Sequence, residues 1–189
     1  MFVEPDWSQS VDFAARLAAI PAHAVVRGMF LQLLIDSMGR EYKEKLEPRR
    51  YVAFKNYPMR EYVELLARAT QVVRTESAAM CVRRLGRGVY PAYEHTITGT
   101  AIFAMAGRDF GRVIEAAPTA YKVGLAPAII RVRRLEARHA EVELREVYNL
   151  PDLHQVGIWE GAMAVCGVSG QIKTHVVDYG AVDFDVTWR

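Results

Sequence analysis

The spacing of apolar positions changes partway along the chain. Between about residues 11 and 121 they recur every three or four residues, which predicts helices with one buried face. From residue 128 onward the pattern is mostly alternating, as in strands with one wet face. The stretch Val89–Met105, VYPAYEHTITGTAIFAM, reads as the longest mostly buried helix, with Tyr90, Tyr93, Ile97, Ala101 and Ala104 on one continuous face. Gly99, Ala101, Ala104 and Ala106 are small enough to let other elements come close.

Ahead of this helix, residues 1–7 form an irregular lead-in, and Ser8 or Ser10 can cap a short helix to about Ala19. Pro21 punctuates. A helix over Ala22–Met38 turns Val26, Met29, Phe30, Leu33 and Leu34 inward. Gly28 inside it implies close packing or a ligand crossing bare backbone, and Gly39 ends it. Arg40–Arg50 is charged enough to be a short solvated helix that ends near Pro48, with Arg49 and Arg50 facing solvent. Val52–Tyr57 reads as a loop. The helix Pro58–Val73 buries Tyr62, Leu65, Leu66, Ala69, Val72 and Val73. Thr75 opens another to about Leu85, stopped by Gly86 and Gly88. Gly107 ends the central helix, and Asp109 caps a last one that reaches Tyr121.

Ile130 and Val132 alternate with Arg131 and Arg133, and Val142 and Leu144 alternate with Glu141, Glu143 and Arg145. This predicts a hairpin with opposite charges facing across the strands, which makes the Arg131, Arg133, Arg134 and Arg138 cluster a wet sheet face. Pro151–Cys166 returns to helical spacing, with Val156, Trp159, Met163 and Cys166 on one face. Gln171–Val177 and Val182–Trp188 alternate around a turn at Asp178–Tyr179–Gly180. The expected fold is α+β: an N-terminal helical half packed on a four-stranded antiparallel sheet in the order strand-strand-helix-strand-strand. The chain reads as one domain over 1–189, with a lead-in and short helix at 1–21, a helical half at 22–122 and a sheet half at 123–189.

Composition adds few constraints. Of the 189 residues 51% are hydrophobic, enough for a sizeable core, and 24 basic against 22 acidic residues leave a net charge of +2. That balance does not point to nucleic acid or a membrane surface. The two cysteines, Cys81 and Cys166, sit in apolar helical contexts and read as buried thiols. No apolar run approaches a membrane span, and MFVEPDWSQS lacks the features of a signal peptide. A cytoplasmic location is the expectation.

Catalytic chemistry finds little support. Glu94 and His95 are adjacent and point in different directions on a helix, so His95 reads as a satisfied, partly buried histidine. His154 and Glu160 would lie on different faces, and His139 and His175 would be at the surface. The histidines and cysteines lack metal-ligand spacing, GRGVYP lacks a phosphate-loop lysine, and there is no GxSxG. Glu160, between Gly157 and Gly161, reads as an acceptor for a neighbouring loop or as a recognition residue. No enzyme activity and no cofactor are expected.

The segments VRGMFLQLL from Val26, YPMREYVELL, LGRGVYPAYEHTITGTAIFAMAG, GIWEGAMAVCGV and DFDVTW resemble the DUF2378 family, found mainly in myxobacteria. The resemblance runs from about Ala24 to Trp188 and is anchored on Gly28, Phe30, Pro58, Gly86, Tyr90, Gly99, Gly157, Glu160, Gly161 and Gly167. The element order is also similar to haem-NO-binding domains, vinyl-reductase-type small-molecule-binding domains and certain TRAPP tethering subunits. That similarity implies a small-molecule pocket between helices and sheet, or a dimerisation surface. Haem-NO-binding domains carry a histidine on the helix before the first strand. Asp109–Tyr121 has none, and their tyrosine-serine-arginine motif is unmatched in Ala140–Tyr148. His95 is kept as a distant haem candidate.

The leading expectation is a sensory or regulatory domain that binds a small apolar ligand, lined by Met29, Phe30, Tyr90, Tyr93, Ile97 and Trp159. Such a module calls for a cavity of roughly a few hundred Å³. The alternative is a scaffold with a filled core that homodimerises or binds a signalling protein through the helices at 22–38 or 58–73.

Overall fold

A computed structural model describes residues 1–72 and 76–189, with the side chains of Glu41, Thr98, Ile102 and Met105 left aside. Val73 and Thr75, read from the sequence as the end of one helix and the start of the next, lie outside the described residues. The sheet half matches its alternation closely. Strands β4 (Ile129–Glu136), β5 (His139–Arg145), β6 (Gly170–Asp178) and β7 (Ala181–Trp188) form an antiparallel sheet in the order β4-β5-β7-β6, with helix α8 (His154–Val165) between the two hairpins in the chain. The inner face carries Val142, Leu144, Val182, Phe184 and Val186, all inaccessible to solvent. On the outer face Arg131 stands opposite Glu143 and Arg133 opposite Glu141, each pair joined by an ion pair. Arg134 departs from the wet-face reading. It has the parity of Ile130 and Val132, and its guanidinium lies 5.0 Å from the centre of the Trp188 ring while reaching Glu115.

The helical half is cut into more pieces than periodicity suggests. Asp12, rather than Ser8 or Ser10, caps α1 (Phe13–Ala18). The helix expected from Ala22 begins only at Gly28. Val25–Arg27 is strand β1, followed by α2 (Gly28–Ser37) and α3 (Arg40–Leu46). The expected loop at Val52–Tyr57 ends in strand β2 (Asn56–Pro58), which precedes α4 (Met59–Val72). Strand β1 pairs with β2 on one side and with β3 (Leu125–Ala126) on the other, giving a small sheet that clasps the helical half to the start of the large one. These segments are too short for an alternation to register.

Helix α5 (Ala78–Glu94) runs straight through Gly86 and Gly88, with Ser77 as its cap. The expected single helix at Val89–Met105 is broken. Thr96 caps a separate α6 (Ile97–Ala106) by accepting from the Gly99 N–H, 3.0 Å. Asp109 caps α7 (Phe110–Gly124) by accepting from the Arg112 N–H. No helix is long and apolar enough to cross a membrane among the described residues.

One continuous core joins both halves, and α8 runs through it, packed chiefly on α5. Glycines set that contact. A Cβ at Gly86 would stand 2.2 Å from the His154 carbonyl oxygen, and one at Gly161 would stand 2.5 Å from the Arg87 carbonyl oxygen. Pro91 has no N–H to offer the Arg87 carbonyl four residues back, so that oxygen is free to meet α8. Helix α1 is tied to the segment before α8 by Arg16, whose two guanidinium nitrogens each donate to Asp152 at 2.6 Å.

Candidate functional site

Helices α2, α4, α5, α7 and α8 converge on a partly open cavity of about 60 Å³. Phe30, Tyr62, Tyr90, Tyr93 and Tyr121 give its wall an aromatic character, and Asn149 and Gln155 supply its amides. A smaller lobe of about 30 Å³ shares Tyr90, Tyr93, Ala120, Tyr121 and Ile158 with it and is closed by Val113, Ala116, Ala117 and Trp159. The rings brace one another. Phe30 stacks on Tyr93 with centroids 6.0 Å apart, and Tyr121 stacks on Trp159 at 6.3 Å. Phe30 reaches this position because α7 offers Gly124 there: a Cβ on Gly124 would stand 2.1 Å from the phenyl ring.

The polar groups of the wall form a partial chain. Tyr121 donates to Oε1 of Gln155, and Gln155 donates from Nε2 to Oδ1 of Asn149 at 2.8 Å. The Tyr62 hydroxyl lies 3.4 Å from Nε2 of His154, a fully buried side chain whose Nδ1 has no partner. Burial pushes the Tyr93 hydroxyl up to about 12 and raises those of Tyr62, Tyr90 and Tyr121 further, so all four stay protonated at neutral pH. Burial pushes His154 down to about 3, which keeps it neutral.

Of the residues singled out by the sequence, Phe30, Tyr90 and Tyr93 meet at the larger lobe, and Trp159 joins Tyr90 and Tyr93 at the smaller one. Met29 is not in either wall. Ile97 is 87% exposed, because the break at Thr96 turns α6 away from the axis of α5. The cavity is walled by helices together with Leu125 and Asn149, and no described residue of the large sheet lines it, so it lies within the helical layer rather than between helices and that sheet. Tyr62 and Tyr121 were legible as inward-facing but not as cavity residues. Asn149 and Gln155 carry no periodic signal at all.

Two other readings change. His95 is exposed at the end of α5 rather than partly buried. Glu160 accepts no loop hydrogen bond among the described residues. Its carboxylate takes two from Arg83 of α5, from Nε at 2.8 Å and Nη2 at 2.5 Å, with Arg87 3.8 Å away. Cys81 is a buried free thiol as expected, whereas Cys166 is half-buried. No cluster of three or more potential metal ligands occurs among the described residues.

This architecture is that of the H-NOX-type α+β domains. An H-NOX protein from S. oneidensis, in its Fe(II)NO state, superimposes with a TM-score of 0.68 at 16% identity, over 86% of this chain and 99% of that one. An unliganded Fe(II) H-NOX protein from K. algicida gives 0.63 at 15% identity, over 86% and 96%. An oxygen-binding H-NOX domain related to soluble guanylate cyclases, in its oxygen complex, gives 0.65 at 14%, over 86% and 91%. At such identities the likeness is one of fold. No match is found among curated proteins. The family described as "Protein of unknown function (DUF2378)" matches residues 19–189, and the chain belongs to it.

Proposed function

We propose that this domain is a non-catalytic sensory or regulatory module that holds a small apolar ligand in the cavity between α2, α4, α5, α7 and α8. The observation that carries the reading is the cavity itself, walled by aromatic and aliphatic side chains at the centre of the helical layer. Its volume narrows the ligand class. At about 60 Å³ it exceeds the ~10–15 Å³ needed for one water. It falls short of the few hundred Å³ expected from the sequence reading and of the roughly 300–1,000 Å³ typical of sites for drug-sized molecules, so the reading holds for an occupant of few heavy atoms.

Haem, implied by the iron states of the H-NOX structures, does not fit these residues. The cavity is far too small for a porphyrin, and α7, which precedes β4, carries no histidine. The buried His154 is outside both walls, and His95 points to solvent.

Native mass spectrometry of freshly purified protein tests for a retained small molecule. A titration with xenon or cyclopentane, followed by melting temperature, tests for the cavity. The expected result is a concentration-dependent rise that Ala120→Leu, which projects into both lobes, abolishes. No rise at saturating ligand would overturn the reading.

A scaffold reading is favoured by the loop before β2, where Val52 and Phe54 are 64% and 74% exposed. It is not favoured at the helices first considered, because α2 exposes only Asp36 and α4 exposes Arg60, Glu64, Arg68 and Gln71. Light scattering of the protein and of Phe54→Ser would separate it from the ligand reading.

A further inference from the structure

Two donors in the wall of the smaller lobe have nothing to bond. The Tyr93 hydroxyl and the indole N–H of Trp159 are both buried and without a hydrogen-bond partner among the described residues. Both side chains line the lobe, and both are more than nine-tenths buried, at 5% and 2% exposure. The rest of the wall is Val113, alanines and Ile158, whose side chains accept nothing, together with Tyr90 and Tyr121, neither of whose hydroxyls pairs with Tyr93 or Trp159. Tyr121 is already committed to Gln155. An indole N–H can only donate, and that of Trp159 meets neither the Tyr90 nor the Tyr121 oxygen. Buried donors left unmet are rare because each forfeits its hydration without recompense. Two of them in the wall of one cavity point to a missing acceptor inside it.

We infer that the ligand of this cavity is a small neutral molecule with an apolar body and one hydrogen-bond acceptor, such as a ketone or ether oxygen, received by Tyr93 and Trp159. The inference rests on the ligand-binding reading above and adds the polarity of the ligand. Neutrality follows from the surroundings. No charged side chain is in either wall, and an ionised group there would lose its hydration with no counter-charge to replace it. Aromatic faces attract cations, but two donors and no carboxylate are the wrong complement for one.

Cyclopentanone and cyclopentane are matched in shape and differ in the acceptor. Each is titrated into the ¹⁵N-labelled protein and into Tyr93→Phe, with the Trp159 indole resonance assigned by its loss in Trp159→Phe. The expected result is that the ketone moves the Trp159 indole proton and the hydrocarbon leaves it nearly still. Tyr93→Phe, which keeps the ring and the stacking, should weaken the ketone on the order of tenfold and alter cyclopentane by no more than about twofold. If both ligands bind but respond alike to Tyr93→Phe, or shift the indole alike, the acceptor inference falls while the cavity reading stands. If neither binds to the wild type, both fall together.

Discussion

Gly157 of α8 lies against Arg83 of α5 so closely that a Cβ on the glycine would stand 2.1 Å from the Arg83 carbonyl oxygen. The two helices meet backbone to backbone, and no rotamer change can relieve the clash. Gly157→Ala should therefore destabilise the domain by at least the ~1–3 kcal/mol of ordinary overpacking. Gly39 is the control. It has open space around it and an ordinary negative φ, so Gly39→Ala meets no clash. The entropy it removes from the unfolded chain is offset by the loss of a residue favoured at the N-cap of α3, and the net change should stay within about 1 kcal/mol of zero. Urea unfolding of the two variants beside the wild type checks the contrast.

The same crossing is pinned by charge. Arg83 grips Glu160 through two nitrogens, and its guanidinium also lies 4.3 Å from the centre of the Trp7 ring, bringing the N-terminal segment onto α5. The two side chains are only 23% and 20% exposed, so the pair is screened less than one at the surface. Glu160→Gln should cost about 1–3 kcal/mol. A double-mutant cycle with Arg83→Met should show coupling, and additive costs would mean the pair contributes nothing of its own.

How far the sequence could disclose these features depended on the range of the interaction that made them. The strands were readable because Val182, Phe184, Val186 and Trp188 alternate with polar residues, a period set by each strand's own backbone. The break after Glu94 was not, because Tyr90, Tyr93, Ile97, Ala101 and Ala104 keep helical spacing whether or not the chain turns between them. Thr96 carried the one local hint, since a threonine can cap a helix as readily as sit within one. Glu160 finds its partner 77 residues away, and Gly86 meets α8 through a contact that spacing cannot show. Phe30, Tyr90, Tyr93 and Trp159 could be read as apolar faces. That they leave a gap between them is a property of three-dimensional packing alone.

Tyr121 offers a test of the amide chain that closes one side of the cavity. Its hydroxyl donates to Gln155, which in turn donates to Asn149, and both amides are almost wholly buried. Tyr121→Phe keeps the ring that stacks on Trp159 but strips the Gln155 carbonyl of its donor. The expected loss is about 1–3 kcal/mol in thermal or urea unfolding, the cost of an unmet buried acceptor. A loss near zero would mean that water reaches Gln155.

His154 should give the fold a distinctive acid sensitivity. It is fully buried, faces Tyr62, and has no carboxylate paired with it among the described residues, so burial holds it at about 3 against 6.5 when exposed. Between those values the unfolded chain takes up a proton that the folded chain refuses. The stabilisation from neutral His154 is thus fully present above pH 6.5 and is lost as the pH falls toward 3. The slope is at most about 1.4 kcal/mol per pH unit. Carboxylates lose their own contributions over part of the same range, so the readout is the difference between wild type and His154→Gln. The variant should start less stable at pH 7.5 and show a shallower decline between pH 6.5 and 4. Parallel curves for the two proteins would show that His154 is protonated in the folded state, with solvent reaching its ring.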